Sequence, residues 1–349
     1  MLCHLNKNEV MLMHERIEWI DVAKALGIIA VVVGHILPSG LTTQLIYWWH
    51  MPMFFIIGGF FLKPINRRQI GHFIKRRIQP QLATYFAVGL LLVLLSRAVH
   101  QTDWSATIQQ LASLLIGGRT LTGYTTTMWF INVYVLTLLM VVTIISTIQK
   151  RRWRLIIAVA GLLLGCTYDK VSVWFQGTQT LPWDADIVLL TTFFTLIGYE
   201  WFHHPHIKPL TNVLPLLGAA GVTTGAVILK LSGQLPFSLS LKSHLIETGG
   251  WPSALILLTV PLTSCLIVFW VAKWCSMTAL KPLLTIMGRH SLSIMLFHKA
   301  LFDLCSQLNL NALPLQIIIG LIIPIGLSWL RRKLGHFTQP IRLPQSAPL

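Results

Sequence analysis

Glu18 to His35 reads EWIDVAKALGIIAVVVGH. The stretch is almost wholly apolar and long enough to begin crossing a bilayer. It nevertheless carries an acid, an amine and an imidazole, in Asp21, Lys24 and His35. At about 100° per residue, Lys24 and His35 lie about 20° from a whole number of helical turns apart, and Asp21 and His35 about 40° off in the other sense. All three therefore share one stripe of a helix, on which the rise separates Lys24 from His35 by roughly 16 Å. Ionisable groups in lipid are costly and face a protein interior or a wet cavity, so the stripe reads as functional. The competing assignment is a snorkelling Lys at one interface and a hydrogen-bonded His near the other.

Working outward, the 349 residues are 54% hydrophobic and only 11% charged, with a mean hydropathy of +0.68. Apolar runs of about 20 residues recur, which predicts an all-α polytopic membrane protein rather than a soluble domain with an anchor. The 27 Lys and Arg outnumber the 11 Asp and Glu, and they cluster between apolar runs. That is the positive-inside pattern, and it excludes nucleic-acid binding as the source of the basic balance. Cys3, Cys166, Cys265, Cys275 and Cys305 lack paired ligand spacing and read as small hydrophobes, so no metal is expected. The residues before Glu18 do not read as a cleaved signal peptide.

About ten transmembrane helices are expected, near 19–37, 45–62, 81–95, 129–148, 155–168, 187–201, 213–229, 253–271, 283–304 and 315–330. This count puts the basic segments 63–77, 150–154 and 331–333, with Lys208, Lys273 and Lys281, on one side and makes both termini cytoplasmic. The expected organisation is a cytoplasmic segment at 1–18, one integral membrane domain at 19–330, and a basic, Pro-containing cytoplasmic tail at 331–349. The apolar stretch 107–116 is too short to cross and lies at the interface or re-enters. No internal repeat argues for an inverted-repeat transporter.

His35 falls near the outer end of the first span and His50 at the outer start of the second, after a short loop. The two imidazoles are expected to be neighbours. A neutral His, with a pKa of about 6.5 before perturbation, suits proton abstraction from a hydroxyl, and a carboxylate would orient its other ring nitrogen. His50 also fits an interfacial aromatic belt beside Trp48 and Trp49. Gly58 and Gly59, after Met51-Pro52-Met53-Phe54-Phe55, read as close-packing positions. On the inner side, His72, Lys75, Arg76 and Arg77 form a cluster suited to the phosphates of an anionic donor, or to topology and anionic lipid. Arg119, and His244 near Glu247, stand on the outer side against the charge bias, as acceptor contacts or solvated charges. Arg289 opens the ninth span, and His298 lies around 15 Å deeper, as scaffold or catalyst. His203, His204 and His206 lack zinc spacing and read as surface residues.

Five features carry a resemblance: RIEWIDVAKALGIIAVVVGH at 16–35, HMPMFFIIGGFF at 50–61, the basic block ending at Pro80, Trp129-Phe130 at the start of the fourth span, and the Gly288-to-His298 pattern with Ser291. Together they resemble the membrane-bound acyltransferase-3 family, and within it the fucose-4-O-acetylase-like branch. The resemblance implies a ten-helix domain that takes acetyl groups from acetyl-CoA at the cytoplasmic side and places them on glycan or sugar hydroxyls at the outer side. It puts the family's histidine base on His35, and the basic residue eleven positions earlier, usually Arg, on Lys24. The family's Arg-x-x-Arg retains Arg77, but Ile74 stands three positions before it, so Lys75 and Arg76 supply the charge.

On this basis Asp21 and Lys24 organise the stripe and His50 assists positioning. His72, Lys75, Arg76, Arg77 and Arg289 hold the acetyl-CoA, and Arg119, Trp129 and His298 are substrate-side or structural. The expected partners are acetyl-CoA, a glycan or sugar acceptor and membrane lipids, in a bacterial inner membrane. The rivals are a glycan or lipid transporter or flippase without acyl transfer, and a non-catalytic scaffold. Acetyl against succinyl donor, direct transfer against an acyl-enzyme, and oligomeric state stay open.

Overall fold

The computed structural model describes residues 17–167, 181–204, 210 and 212–337. Residues 1–16, Trp174, His206, Lys208 and the tail from 338 lie outside the described residues, as do the side chains of Arg331, Arg332 and Lys333.

Helix α1 (Glu18–Ile36) is followed by α2 (Leu41–Tyr47), α3 (His50–Phe60), and a helical lead-in at 67–78 that runs into α4 (Gln79–His100). Next come α5 (Trp104–Ile116), α6 (Trp129–Thr147), α7 (Arg151–Cys166), α8 (Val188–His203) and α9 (Val213–Leu231). An antiparallel hairpin of β1 (Ser238–Ser240) and β2 (Leu245–Glu247) pairs Leu239 with Ile246. The chain then forms α10 (Ser253–Cys275), α11 (Lys281–Arg289), α12 (Ser291–Gln307) and α13 (Leu313–Phe337). The fold is helical as expected, with this hairpin as the departure.

Among the described residues, seven helices are long and apolar enough to cross a membrane. The expected spans at 45–62 and 283–304 are each broken, at Trp48-Trp49 and at His290, and α7 has only 16 residues. Hydropathy averages across such breaks. The first is made by a buried Trp48 whose indole N–H donates to the Phe237 carbonyl at 3.1 Å. The 13 residues of α5 give about 20 Å of helix, short of a hydrocarbon core of about 30 Å.

Helix α1 sits in the middle, packed by α3, α10, α11, α12 and α13. Its buried residues run right round the helix, from Ile20 and Asp21 to Val32 and Gly34, as a helix enclosed on all sides requires. By contrast, α9 and α13 turn Leu214, Leu217, Ile228, Ile322 and Ile323 outward, as lipid-facing helices do. Glycine permits the closest contacts. A Cβ at Gly59 would overlap the Thr195 carbonyl, and one at Gly198 the Ile56 carbonyl, so α3 and α8 touch backbone to backbone. A Cβ at Gly288 would overlap the Asp21 carbonyl, so α11 meets α1 in the same way.

Gly59→Leu and Gly198→Leu are each expected to destabilise the protein by about 1–3 kcal/mol or more, as overpacking does. Gly218→Leu, where nothing lies within 4 Å of an added Cβ, is expected to leave the unfolding midpoint in detergent unchanged; equal losses at all three positions would contradict the close contact.

Candidate active site

The polar groups of α1 divide between its ends. At the N-terminal end, buried Asp21 takes Lys24 Nζ at 3.3 Å and Arg289 Nε at 3.5 Å, and the Lys24 ammonium lies 5.7 Å from the centre of the Phe61 ring. At the C-terminal end, His35 meets His298 of α12. The separation along the helix, about 21 Å from Asp21 to His35, keeps Asp21 and Lys24 away from the histidine. The stripe is thus two sites rather than one.

His298 is fully buried, and its Nδ1–H donates to the Ile294 carbonyl at 2.9 Å. In a neutral ring that leaves Nε2 as an acceptor, and His35 Nδ1–H donates to it at 2.8 Å. The rings stack with centroids 5.0 Å apart. His35 is left with an Nε2 lone pair that takes no hydrogen bond among the described residues. The partner expected to be a carboxylate is a second histidine. His50 does not bond to His35; its Nδ1–H donates to the Ile46 carbonyl at 2.9 Å and its ring lies 4.8 Å from that of Tyr47.

His35 and His50 nonetheless share one cavity of about 130 Å³, with Thr126, Trp129, Lys242 and Lys299. Its roof is the β-hairpin, whose Leu239 to Lys242 line it. Buried Phe237, Leu239 and Leu241 anchor that hairpin, and Lys230 Nζ donates to the Phe237 carbonyl at 2.7 Å. Lys242 Nζ donates to the Leu121 carbonyl at 2.9 Å and to Thr126 Oγ1 at 2.5 Å. Burial holds the Lys242 amine below the ordinary lysine pKa. A second cavity, of about 410 Å³, runs along the other end of α12 from Arg289 to Phe297, against Val88 of α4 and Ser328 of α13. Along α12, His298 stands between the last residue of this cavity and Lys299 of the first.

Arg119 does not enter the histidine cavity. It pairs with Asp186, its backbone N–H donates to Asp184 Oδ1 at 3.0 Å, and its Nε–H donates to the Lys242 carbonyl at 3.1 Å. His244 Nδ1–H donates to Asp186 Oδ2 at 2.6 Å and Nε2 lies 2.8 Å from the Gly165 carbonyl. Gly118, at φ 59°, leaves room for the Asp184 carboxylate, which a Cβ there would overlap. The expected neighbour of His244 was Glu247, which is exposed; Asp186 takes that place. His72, Lys75, Arg76 and Arg77 are exposed on the lead-in to α4, and none has an ion-pair partner among the described residues.

A family model described as an acyltransferase domain matches residues 17–331. The chain belongs to the acyltransferase-3 family. Neither a curated protein nor a solved structure matches it. The protein is an acyltransferase with several helices able to cross a membrane.

For an acyltransferase, the histidine pair offers what the reaction needs on the attacking side: a bare imidazole nitrogen in a cavity, with its ring held by a second group. Two residues of the histidine cavity, Lys242 and Lys299, escape sequence reasoning. Lys242 lies in a loop without periodicity, and Lys299 reads as one cation inside an apolar run. The signal that points to both is a lone Lys in a weakly charged neighbourhood.

Removing Asp186 leaves the half-buried Arg119 and the buried His244 without their shared carboxylate. Asp186→Ala is expected to cost about 3 kcal/mol or more, read as a lowered unfolding midpoint in detergent. The double change Arg119→Met with Asp186→Leu is expected to recover part of that loss; an unchanged midpoint for Asp186→Ala would dismiss the network as a support for the Lys242 loop.

Proposed function

We propose that the protein is a membrane-bound O-acetyltransferase of the fucose-4-O-acetylase-like branch, moving an acetyl group from acetyl-CoA to a hydroxyl of a cell-envelope glycan or sugar. The carrying observation is the His35–His298 pair, which leaves a His35 ring nitrogen without a hydrogen bond among the described residues in the cavity that His35 lines. The larger cavity begins at Arg289, the end at which Asp21 and Lys24 also lie. This end is assigned to the cytoplasm of a bacterial inner membrane, in a ten-span topology with both termini inside. His72, Lys75, Arg76 and Arg77, exposed and without ion-pair partners among the described residues, suit the phosphates of acetyl-CoA. Asp21 near the start of α1 meets Arg289 just before α12, and His35 near its end meets His298 within α12, so the two helices run the same way, as odd-numbered spans do in such a topology.

His35 Nε2 takes the proton of the acceptor hydroxyl as its oxygen attacks the thioester carbonyl. The C–S bond then breaks, and the imidazolium returns its proton to the departing thiolate, so the transfer is direct and the protons balance. His298 is a positioning residue: its bond to the Ile294 carbonyl sets the His35 tautomer. His50 lines the same cavity, where it would orient the acceptor.

The test uses purified protein in lipid with radiolabelled acetyl-CoA and a glycan extract. His35→Ala is expected to lower label transfer by about 10²–10⁴-fold, compared at equal amounts of folded protein because the variant also gives up the bond to His298. His298→Phe is expected to lower kcat by about tenfold and distort the pH profile, because the tautomer is no longer set. Thioester consumption untouched by His35→Ala would remove it as the base. No consumption by the wild type with glycan supplied would favour transport.

A further inference from the structure

The cavity at the histidine pair has a charge imbalance that acetyl transfer to a neutral sugar does not use. Lys242 and Lys299 both line it, and no Asp or Glu does among the described residues. Lys242 is half-buried, and its ammonium donates to the Leu121 carbonyl and the Thr126 hydroxyl, both neutral, with no ion pair among the described residues. Lys299 is half-buried and has no hydrogen bond or ion pair among the described residues. The nearest acids are engaged elsewhere: Asp303, one turn along α12, takes Tyr124 Oη at 2.5 Å and His100 Nε2 at 3.0 Å. Asp184 and Asp186 hold Arg119. His35 and His50, both facing the same space, bring no negative charge.

Lys299 is withdrawn from water without an ion-pair partner among the described residues, and the negative charge that reaches Lys242 is the longer-range one of Asp184, which Arg119 already shares. The cost of holding two ammonium groups there is relieved by an anion that binds between them. We propose that the acceptor is anionic: it carries a carboxylate or phosphate that Lys299 and Lys242 bind in the cavity while its hydroxyl meets His35. The proposal rests on the acyltransferase reading for its reaction, but the anion site itself stands on the cavity alone. Lys299 is the principal contact, since two of the donors of Lys242 are already engaged. Selectivity would follow from the same charges, because a neutral sugar leaves both unpaired. At about 130 Å³ the space admits the reacting unit of a glycan rather than a long segment, which keeps the anion on or next to the sugar that is acetylated.

The experiment measures labelling of Lys299 and Lys242 by an amine-reactive ester, by mass spectrometry, on the full chain in lipid nanodiscs. The probes are methyl glucuronide and glucose 1-phosphate against methyl glucoside. At least one anionic probe is expected to slow Lys299 labelling fivefold or more, with no slowing by the neutral glucoside. Equal labelling with all three would overturn the proposal, whether or not acetyl-CoA is consumed. Protection without any thioester consumption would keep the anion site and reject the acetyltransferase reading.

A kinetic arm separates the remaining possibilities. Lys299→Gln is expected to raise KM for an anionic acceptor tenfold or more with kcat little changed, and Lys299→Arg to restore most of it. Equal loss of kcat on anionic and neutral acceptors would instead assign the lysines to the oxyanion. A Lys299→Gln protein that loses only succinyl transfer from succinyl-CoA would put the anion on the acyl group; either result overturns an anionic acceptor.

Discussion

A polar side chain surrounded by hydrocarbon or packed protein must find its partners inside the molecule, and α1 carries such a group at each end. Both are satisfied by one stretch of the chain. Asp21 takes Arg289, and His35 takes His298, so α1 is pinned twice to the segment that runs from α11 into α12. Gly288 makes the first contact possible by letting the two backbones touch. The second depends on the turn of helix that gives His298 its own acceptor in Ile294. The other helices enclose this pair: α3 locks onto α8 through Gly59 and Gly198, while α9 and α13 face outward.

Much of this was legible in the sequence and some was not, for reasons that differ residue by residue. The central helix and its three polar groups were legible because a charge inside an apolar run has few bland explanations. Their division into two sites was not, because a shared stripe on a helical wheel says nothing about distance along the axis. His35 and His50 do share a cavity, as the short loop between them suggested. The direct partner is His298, 263 positions away, and no local pattern reports a contact of that range. Arg119 and His244 looked like exposed charges in an outer loop. They are instead tied to Asp184 and Asp186 and hold up the loop that carries Lys242. The breaks at Trp48-Trp49 and at His290 were hidden because hydropathy is averaged over a window, whereas the tertiary contacts that bend a helix are single hydrogen bonds.

The proposed reaction gives a reason for the polar groups of α1 to be far apart. A donor rich in phosphate is held best by exposed, unpaired cations, such as those of the lead-in to α4, where water screens their mutual repulsion. The proposed chemistry needs the reverse: a small, partly enclosed space in which an imidazole takes a proton and two ammonium groups bind the acceptor with little screening. One short site cannot meet both demands. A helix of 19 residues can, with Asp21, Lys24 and Arg289 at the wet end and His35 at the enclosed one.

The unpaired lysines then bear on the histidine as well as on the acceptor. Cations beside an imidazole favour its neutral form, which is the form that can accept a proton, and an anion bound between them relaxes that bias. An anionic acceptor docked between them would bring a negative charge close to His35 just when its ring must become an imidazolium. A neutral sugar in the same cavity would leave the new imidazolium facing two ammonium groups with no anion between them. The same two residues that recognise the acceptor would thus make proton abstraction easier only when the right acceptor is present, so binding selectivity and catalytic selectivity would share one electrostatic origin.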